Sequence, residues 1–159
     1  MPRLYLLRHA KSSWDDPELP DHDRPLAPRG RKAVRAMRSH LVSAGVAPSL
    51  VLCSSALRAR QTLDGVAPGG EPRIEAELYG ASARSLLERV RALPAHVESA
   101  MVIGHNPGMQ ELSLLLAGEP REKFPTGALA TLEFDGSWAD LEPGAARLEA
   151  FVRPRDLSR

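Results

Sequence analysis

The sequence holds one cysteine, Cys53, which excludes an intrachain disulfide framework. Neither sign of charge is in excess: Lys+Arg number 21 against 20 Asp+Glu, a formal net charge of +1. No overall field therefore draws in nucleic acid or an anionic membrane, and any anion-binding site must be local. No apolar run approaches membrane-spanning length. Met1-Pro2-Arg3-Leu4 leads straight into a strand-like segment, without the apolar stretch of a signal peptide. There is no internal repeat and no low-complexity tract. A Gly-x-Ser-x-Gly nucleophile elbow and a Gly-x-x-x-x-Gly-Lys nucleotide loop are both missing, which sets aside the serine-hydrolase and P-loop readings. With 159 residues, 43% hydrophobic and 26% charged, the expectation is one cytoplasmic domain spanning residues 1–159, without nucleic-acid or membrane partners.

What is there is a βα rhythm. Leu4-Tyr5-Leu6-Leu7, Leu50-Val51-Leu52-Cys53 and Ala100-Met101-Val102-Ile103 are continuous apolar runs, the pattern of strands buried on both faces of a parallel sheet. Between them, Ala33, Val34, Met37 and Leu41 recur at helical spacing over 29–44, with Gly45 as the stop. Leu86, Leu87, Val90 and Leu93 repeat the pattern, with Ser82 as the N-cap. Further helices are expected after Ala56 and from Pro107. Residues 131–135 and 147–153 alternate polar with apolar, as strands exposed on one face do. Residues 15–28 hold four prolines and five acidic residues and read as a surface loop. The predicted architecture is α/β, three layers, with a mostly parallel central sheet and helices on both faces.

Ligands of open α/β sheets sit beyond the carboxyl ends of the strands, so the residues just after each apolar run are informative. The first run ends in Arg8-His9, the second in Ser54-Ser55-Ala56-Leu57-Arg58, the third in Gly104-His105-Asn106-Pro107-Gly108. If the three strands are parallel neighbours, two arginines and two histidines meet at one rim. That set suits a phosphoryl group. Arginine presents a planar fork of donors to phosphate oxygens and keeps its charge. A helix opening near Ala56 adds backbone N–H groups and the positive end of its dipole. Imidazole can attack phosphorus or donate to a developing oxyanion. The flanking guanidinium charges are expected to lower the pKa of His9 and keep it nucleophilic.

Weighed separately, these residues have plain structural readings. His105 could bond to nearby backbone, and Arg60 reads as a solvated helix residue. Four residues separate Cys53 from Arg58, one fewer than a cysteine-phosphatase loop requires, so Cys53 reads as a buried structural thiol. His22, His40 and His96 lack metal-ligand spacing and read as surface residues. Trp14 is a loop aromatic that would pack over the site mouth or meet a partner.

Leu6-Leu7-Arg8-His9-Ala10 resembles the Arg-His-Gly signature of the histidine phosphatase superfamily, the phosphoglycerate-mutase-like fold, with Ala in place of Gly. Ser54 to Thr62 resembles its second arginine motif, and Val102 to Asn106 the segment carrying its second histidine. Within that superfamily, Lys11-Ser12-Ser13-Trp14, Asp23-Arg24-Pro25-Leu26, Glu77-Leu78-Tyr79 and Thr126-Gly127-Ala128-Leu129 are similar to segments of the SixA-type phosphohistidine phosphatases. The resemblance implies that His9 is the nucleophile of a covalent phosphohistidine intermediate. It implies that Arg8 and Arg58 clamp the phosphoryl oxygens, that His105 bonds to them, and that Arg24 is a further phosphate contact. It implies neither metal nor cofactor.

Many superfamily members place a glutamate after the second motif as general acid for an alkoxide leaving group; here Gly80 occupies that position. Glu77, Asp15 and Asp16 are the candidate acids, and the sequence does not choose among them. A weak acid position favours P–N over P–O substrates, because an imidazole leaving group can already carry a proton on its other nitrogen. The expected substrate is a phosphohistidine on a signalling protein such as a histidine phosphotransfer domain. A phosphomonoesterase for small phosphate esters and a non-catalytic module that binds phosphorylated partners remain the alternatives.

Overall fold

A computed structural model describes residues 1–157. Six strands form one sheet in the order β3-β2-β4-β1-β5-β6. They are β1 (Arg3–Arg8), β2 (Leu50–Ser54), β3 (Glu71–Glu75), β4 (Ser99–Gly104), β5 (Leu129–Phe134) and β6 (Ala146–Val152). The pairs β2–β3, β2–β4 and β1–β4 are parallel; β1–β5 and β5–β6 are antiparallel. Helices α1 (Pro28–Ala44), α2 (Leu57–Val66), α3 (Ala83–Arg91), α4 (Gly108–Ala117) and the short α5 (Pro154–Leu157) cover the two faces.

The continuous apolar runs are double-faced, as their pattern predicts. Leu4 and Leu6 of β1 point into the core that holds Leu86 and Val90 of α3 and Met109 and Leu112 of α4. Tyr5 and Leu7 point into the opposite core, with Val34 and Met37 of α1 and Ala59 of α2. The same alternation divides Leu50 and Leu52 from Val51 and Cys53, and Ala100 and Val102 from Met101 and Ile103. Each such Leu or Val contributes about 1.5–3 kcal/mol when taken fully from water. The three-layer α/β expectation therefore holds.

Two expectations need correction, and one strand was not anticipated. Strand β5 is buried along nearly its whole length, because it lies between β1 and β6 rather than at an edge. Strand β3 had no sequence signal: four of its five residues are exposed and one is Pro72, which only an edge strand tolerates. The loop of residues 15–28 is not wholly superficial. Ser12 bridges to Leu26 across its base, a 3-10 turn forms at Asp21–Asp23, and Arg24 and Leu26 are buried. The Ser82 cap is as expected, its hydroxyl accepting from the Ser85 N–H at 3.1 Å. Among the described residues no helix is long and apolar enough to cross a membrane.

Candidate active site

Strands β2, β4 and β1 are neighbours in the sheet, so their carboxyl ends bring Ser54, Gly104 and Arg8 to one rim. His9 continues β1, its backbone N–H donating to the Gly104 carbonyl at 3.0 Å. Gly127 closes the turn beside it, donating to the carbonyls of both Arg8 and His9 at 3.0 and 2.9 Å. Its φ of +77° is one that only glycine adopts without strain. Beyond this rim lies an open cleft of about 570 Å³, lined among others by Arg8, His9, Arg24, Arg58 and His105.

His9 is 6% exposed. Its Nδ1 lies 2.7 Å from the Ala10 carbonyl, an acceptor, so Nδ1 carries the proton and Nε2 keeps its lone pair. The Arg58 Nε–H approaches that Nε2 at 3.4 Å, consistent with the same tautomer. Burial drives the His9 pKa down to about 3, with His105, Arg58 and Arg8 adding to the effect. The direction matches the sequence expectation, but desolvation outweighs the guanidinium charges. His105 lies with its ring centroid 5.0 Å from that of His9 and its Nε2 2.7 Å from the Ser54 Oγ. Burial first and Arg58 second lower its pKa to about 4. Both rings are therefore neutral near pH 7.

The arginines differ in how they are held. Arg58 is at the first turn of α2, and Thr62 on the next turn accepts the Ala10 N–H at 3.0 Å while donating to the Arg58 carbonyl at 2.8 Å. This ties the helix to the nucleophile loop. Arg8 donates through one terminal nitrogen to the Phe124 carbonyl at 3.0 Å, whereas its buried Nε has no partner among the described residues. Leaving a buried charged donor unpaired costs at least about 1–3 kcal/mol, so a polar ligand oxygen is the natural occupant opposite it. Arg24, read from composition as an exposed loop residue, is only 6% exposed. It donates to the Ser13 carbonyl at 3.1 Å and stacks 3.4 Å from the Trp14 ring centroid, while Trp14 itself is 69% exposed.

The residue that sequence reasoning missed is Asp21. Its carboxylate accepts from Arg24 Nε at 3.2 Å, from an Arg58 terminal nitrogen at 2.9 Å and from the Tyr79 hydroxyl at 2.5 Å. Its backbone carbonyl takes a further Arg58 N–H at 2.7 Å. The Tyr79 hydrogen bond, followed by Arg58, holds its carboxyl at about 2, so it stays ionised. The available signal was an Asp three residues before Arg24 in a proline-bounded turn. His22 also departs from its surface reading: half-buried, it bonds Ser55 Oγ at 2.8 Å and meets the Tyr79 ring edge-on at 4.9 Å.

Of the candidate general acids, Glu77 and Asp15 are exposed, and neither lines the cleft; Asp16 is likewise exposed and outside it. Glu77 comes after the exposed edge strand β3, and Asp15 follows Trp14 in a run of exposed residues. Gly80 does line the cleft. Cys53 is buried, and burial pushes its thiol up to about 12, so it is an inert core group.

The pattern described as the histidine phosphatase superfamily, branch 1, matches residues 4–81. The uncharacterized protein Rv1276c of Mycobacterium tuberculosis is 39% identical over 159 residues, covering 94% of this chain and 100% of that protein. Among solved structures, a candidate phosphohistidine phosphatase SixA from Nakamurella multipartitia superposes with a TM-score of 0.87 at 32% identity, covering 96% of each chain. The protein histidine phosphatase SixA complexed with tungstate gives a TM-score of 0.84 at 27% identity, covering 98% of this chain and 99% of the other. The strand-end arginines and histidines, the cleft they line and these likenesses agree. The chain belongs to the histidine phosphatase superfamily, is of the SixA type within it, and is a phosphatase.

Proposed function

We propose that this phosphatase hydrolyses the P–N bond of phosphohistidine, with His9 as nucleophile. The observation that carries the reading is the state of Asp21. This carboxylate of the cleft lining is bound to two guanidinium groups and a phenol and has no proton to give, while Gly80 stands where related enzymes place an acid. An alkyl phosphate ester expels a basic oxygen and gains about 10²–10⁴-fold from a positioned acid. A phosphohistidine needs no such help.

In the first step His9 Nε2 attacks phosphorus as the P–N bond breaks, and the bonding pair goes to the substrate's ring nitrogen. When the other nitrogen of that ring holds a proton, the imidazole departs neutral. His9 then carries the phosphoryl group, its Nδ1–H still donating to the Ala10 carbonyl. Exchange is imidazole for imidazole, so leaving-group basicity offers no uphill step. In the second step water attacks phosphorus, the pair returns to Nε2, and the water's proton leaves with inorganic phosphate. Arg8, whose Nε has no partner among the described residues, and Arg58 hold the equatorial oxygens through both displacements, and His105 bonds to them. Arg24, buried at the same cleft, supplies a further cation. The relative described as a complex with tungstate, an oxyanion, is in keeping with such a cradle.

The test is phosphate release from a phosphohistidine-bearing protein and from phosphoramidate, beside a panel of phosphomonoesters, for wild type and His9→Ala. Release from the P–N substrates that vanishes in His9→Ala supports the proposal. Equal or faster turnover of esters would overturn it in favour of a phosphomonoesterase. Binding of the phosphoprotein without turnover of any substrate would leave a recognition module.

A further inference from the structure

Beside the active cleft lies a second one of about 570 Å³, and Lys11 and Thr126 line both. Its lining is cationic: Lys11, Arg29, Lys32, Arg153 and Arg155, with Ala33 and Ala36 beside them. Arg153 is neutralised by Asp156 at 3.1 Å and Glu122 at 3.7 Å. Among the described residues, the side chains of Lys11, Arg29, Lys32 and Arg155 make no ion pair or hydrogen bond, and all four are exposed.

The charge here is not a share of a general surplus. Helix α1 carries five cations (Arg29, Arg31, Lys32, Arg35, Arg38) and no acidic residue, in a chain whose net charge is only +1. The rest of the molecule is thus net acidic. Nor does the charge serve the helix. Its first turn is where cations oppose the macrodipole, and Ala27 offers no side-chain cap. The helix start is nevertheless locked against the nucleophile loop: the Ala27 N–H donates to the Lys11 carbonyl at 2.9 Å, and a Cβ on Gly30 would fall 2.1 Å from that same oxygen. The groove is fixed at the lip of the active site.

We infer that this groove docks an acidic surface flanking the phosphohistidine of a protein substrate, Lys11, Arg29, Lys32 and Arg155 supplying the complementary charge. The inference rests on the phosphohistidine reading and names what that substrate presents beside its phosphoryl group. Exposed cations of this kind act through encounter rate and orientation, with a strong dependence on salt.

The experiment compares wild type with the combined variant Arg29→Glu, Lys32→Glu, Arg155→Glu. Three probes are used: phosphoramidate, a phosphohistidine protein with an acidic face around its histidine, and a version of that protein with those acids changed to amides. The wild type is expected to prefer the acidic protein at low salt. The variant is expected to lose at least about tenfold in kcat/KM toward it, mainly through KM, with phosphoramidate turnover unchanged. Its thermal midpoint is expected to hold or rise, because a glutamate at position 29 now occupies the first turn of α1. The neutral variant Arg29→Gln, Lys32→Gln should lie between the two. No preference for the acidic probe, or a preference that survives the reversal, would overturn the inference. So would an equal loss on phosphoramidate, which would make the groove part of the catalytic electrostatics. Oligonucleotide binding by the wild type that the variant loses would assign the groove to nucleic acid instead. If phosphomonoesters alone are turned over, the underlying reading has failed as well; phosphoramidate, which needs no groove, tells the two failures apart.

Discussion

The two clefts that meet at Lys11 are both lined by cations, and they differ in almost everything else. In the active cleft Arg8, Arg24 and Arg58 are largely withdrawn from solvent and held by carbonyls, by Asp21 and by the stack on Trp14. In the neighbouring groove Arg29, Lys32 and Arg155 are exposed, their side chains making no ion pair or hydrogen bond among the described residues. A guanidinium fixed before the ligand arrives loses little entropy on binding and works where the dielectric is low, so it can act on a charge that develops during reaction. An exposed one is screened over roughly 8 Å at physiological salt and contributes a diffuse field. The same residue type thus serves chemistry in one place and attraction in the other, and burial is what separates the two.

The widest gap between the clefts should appear on alanine substitution. Arg58→Ala removes the contacts to His9 and to Asp21 together, and is expected to lower kcat/KM for phosphoramidate by about 10³-fold or more. Arg155→Ala is expected to leave it within about twofold. Arg58→Lys should recover little, since a lysine cannot reproduce the fork. Equal effects of Arg58→Ala and Arg155→Ala on steady-state turnover would erase the distinction.

The seam between the clefts can be broken directly. In Gly30→Ala the new methyl meets the Lys11 carbonyl, part of the backbone next to His9, so the helix must shift. A loss of about 1–3 kcal/mol in denaturant unfolding is expected, with a fall in kcat for both protein and small substrates. A wild-type unfolding curve would mean that the two clefts are not mechanically joined.

Asp21 sharpens the comparison from inside. It is a counter-anion of the kind that Arg29, Lys32 and Arg155 do not hold within ion-pair distance among the described residues, occupying one side of the Arg24 and Arg58 forks. Asp21→Asn keeps the shape and removes the charge, so inhibition by inorganic phosphate is expected to tighten by about tenfold. An unchanged inhibition constant would show that the carboxylate does not compete with the bound anion.

The smallest effect expected is a titration. His9 and His105 have folded pKa values near 3 and 4, below the ordinary value near 6.5. At low pH the unfolded chain therefore binds more protons than the folded one. The stability that these groups contribute is present above about pH 6.5 and is lost as pH falls toward their folded values. Nitrogen chemical shifts should find both rings neutral at about pH 5.5, with a melting temperature that declines below pH 6 and declines less in His9→Gln. Protonation of either ring near pH 6.5 would contradict the desolvated site.

Much of this was legible in the chain. The three continuous apolar runs marked β1, β2 and β4, because a strand covered on both faces has no polar alternation to hide it. The residues at the end of each run marked Arg8, His9, Arg58 and His105. Strand β3 was illegible, since an exposed edge needs no apolar pattern and its Pro72 argues against a strand. Asp21 and Tyr79 were illegible for another reason. They stand 37 residues before and 21 after Arg58, and only chain reversal through the 3-10 turn and past β3 brings them to it. Glu77 and Asp15 looked equally eligible as acids until exposure separated them from the cleft.

By itself, then, the amino-acid sequence determined the layer architecture and which residue types stand at the strand ends, because hydrophobic period and strand-end position are local properties. Only the tertiary structure decided their electrostatic character. Whether an imidazole is neutral, a carboxylate ionised, or an arginine poised or merely attractive depends on burial and on partners distant in the chain.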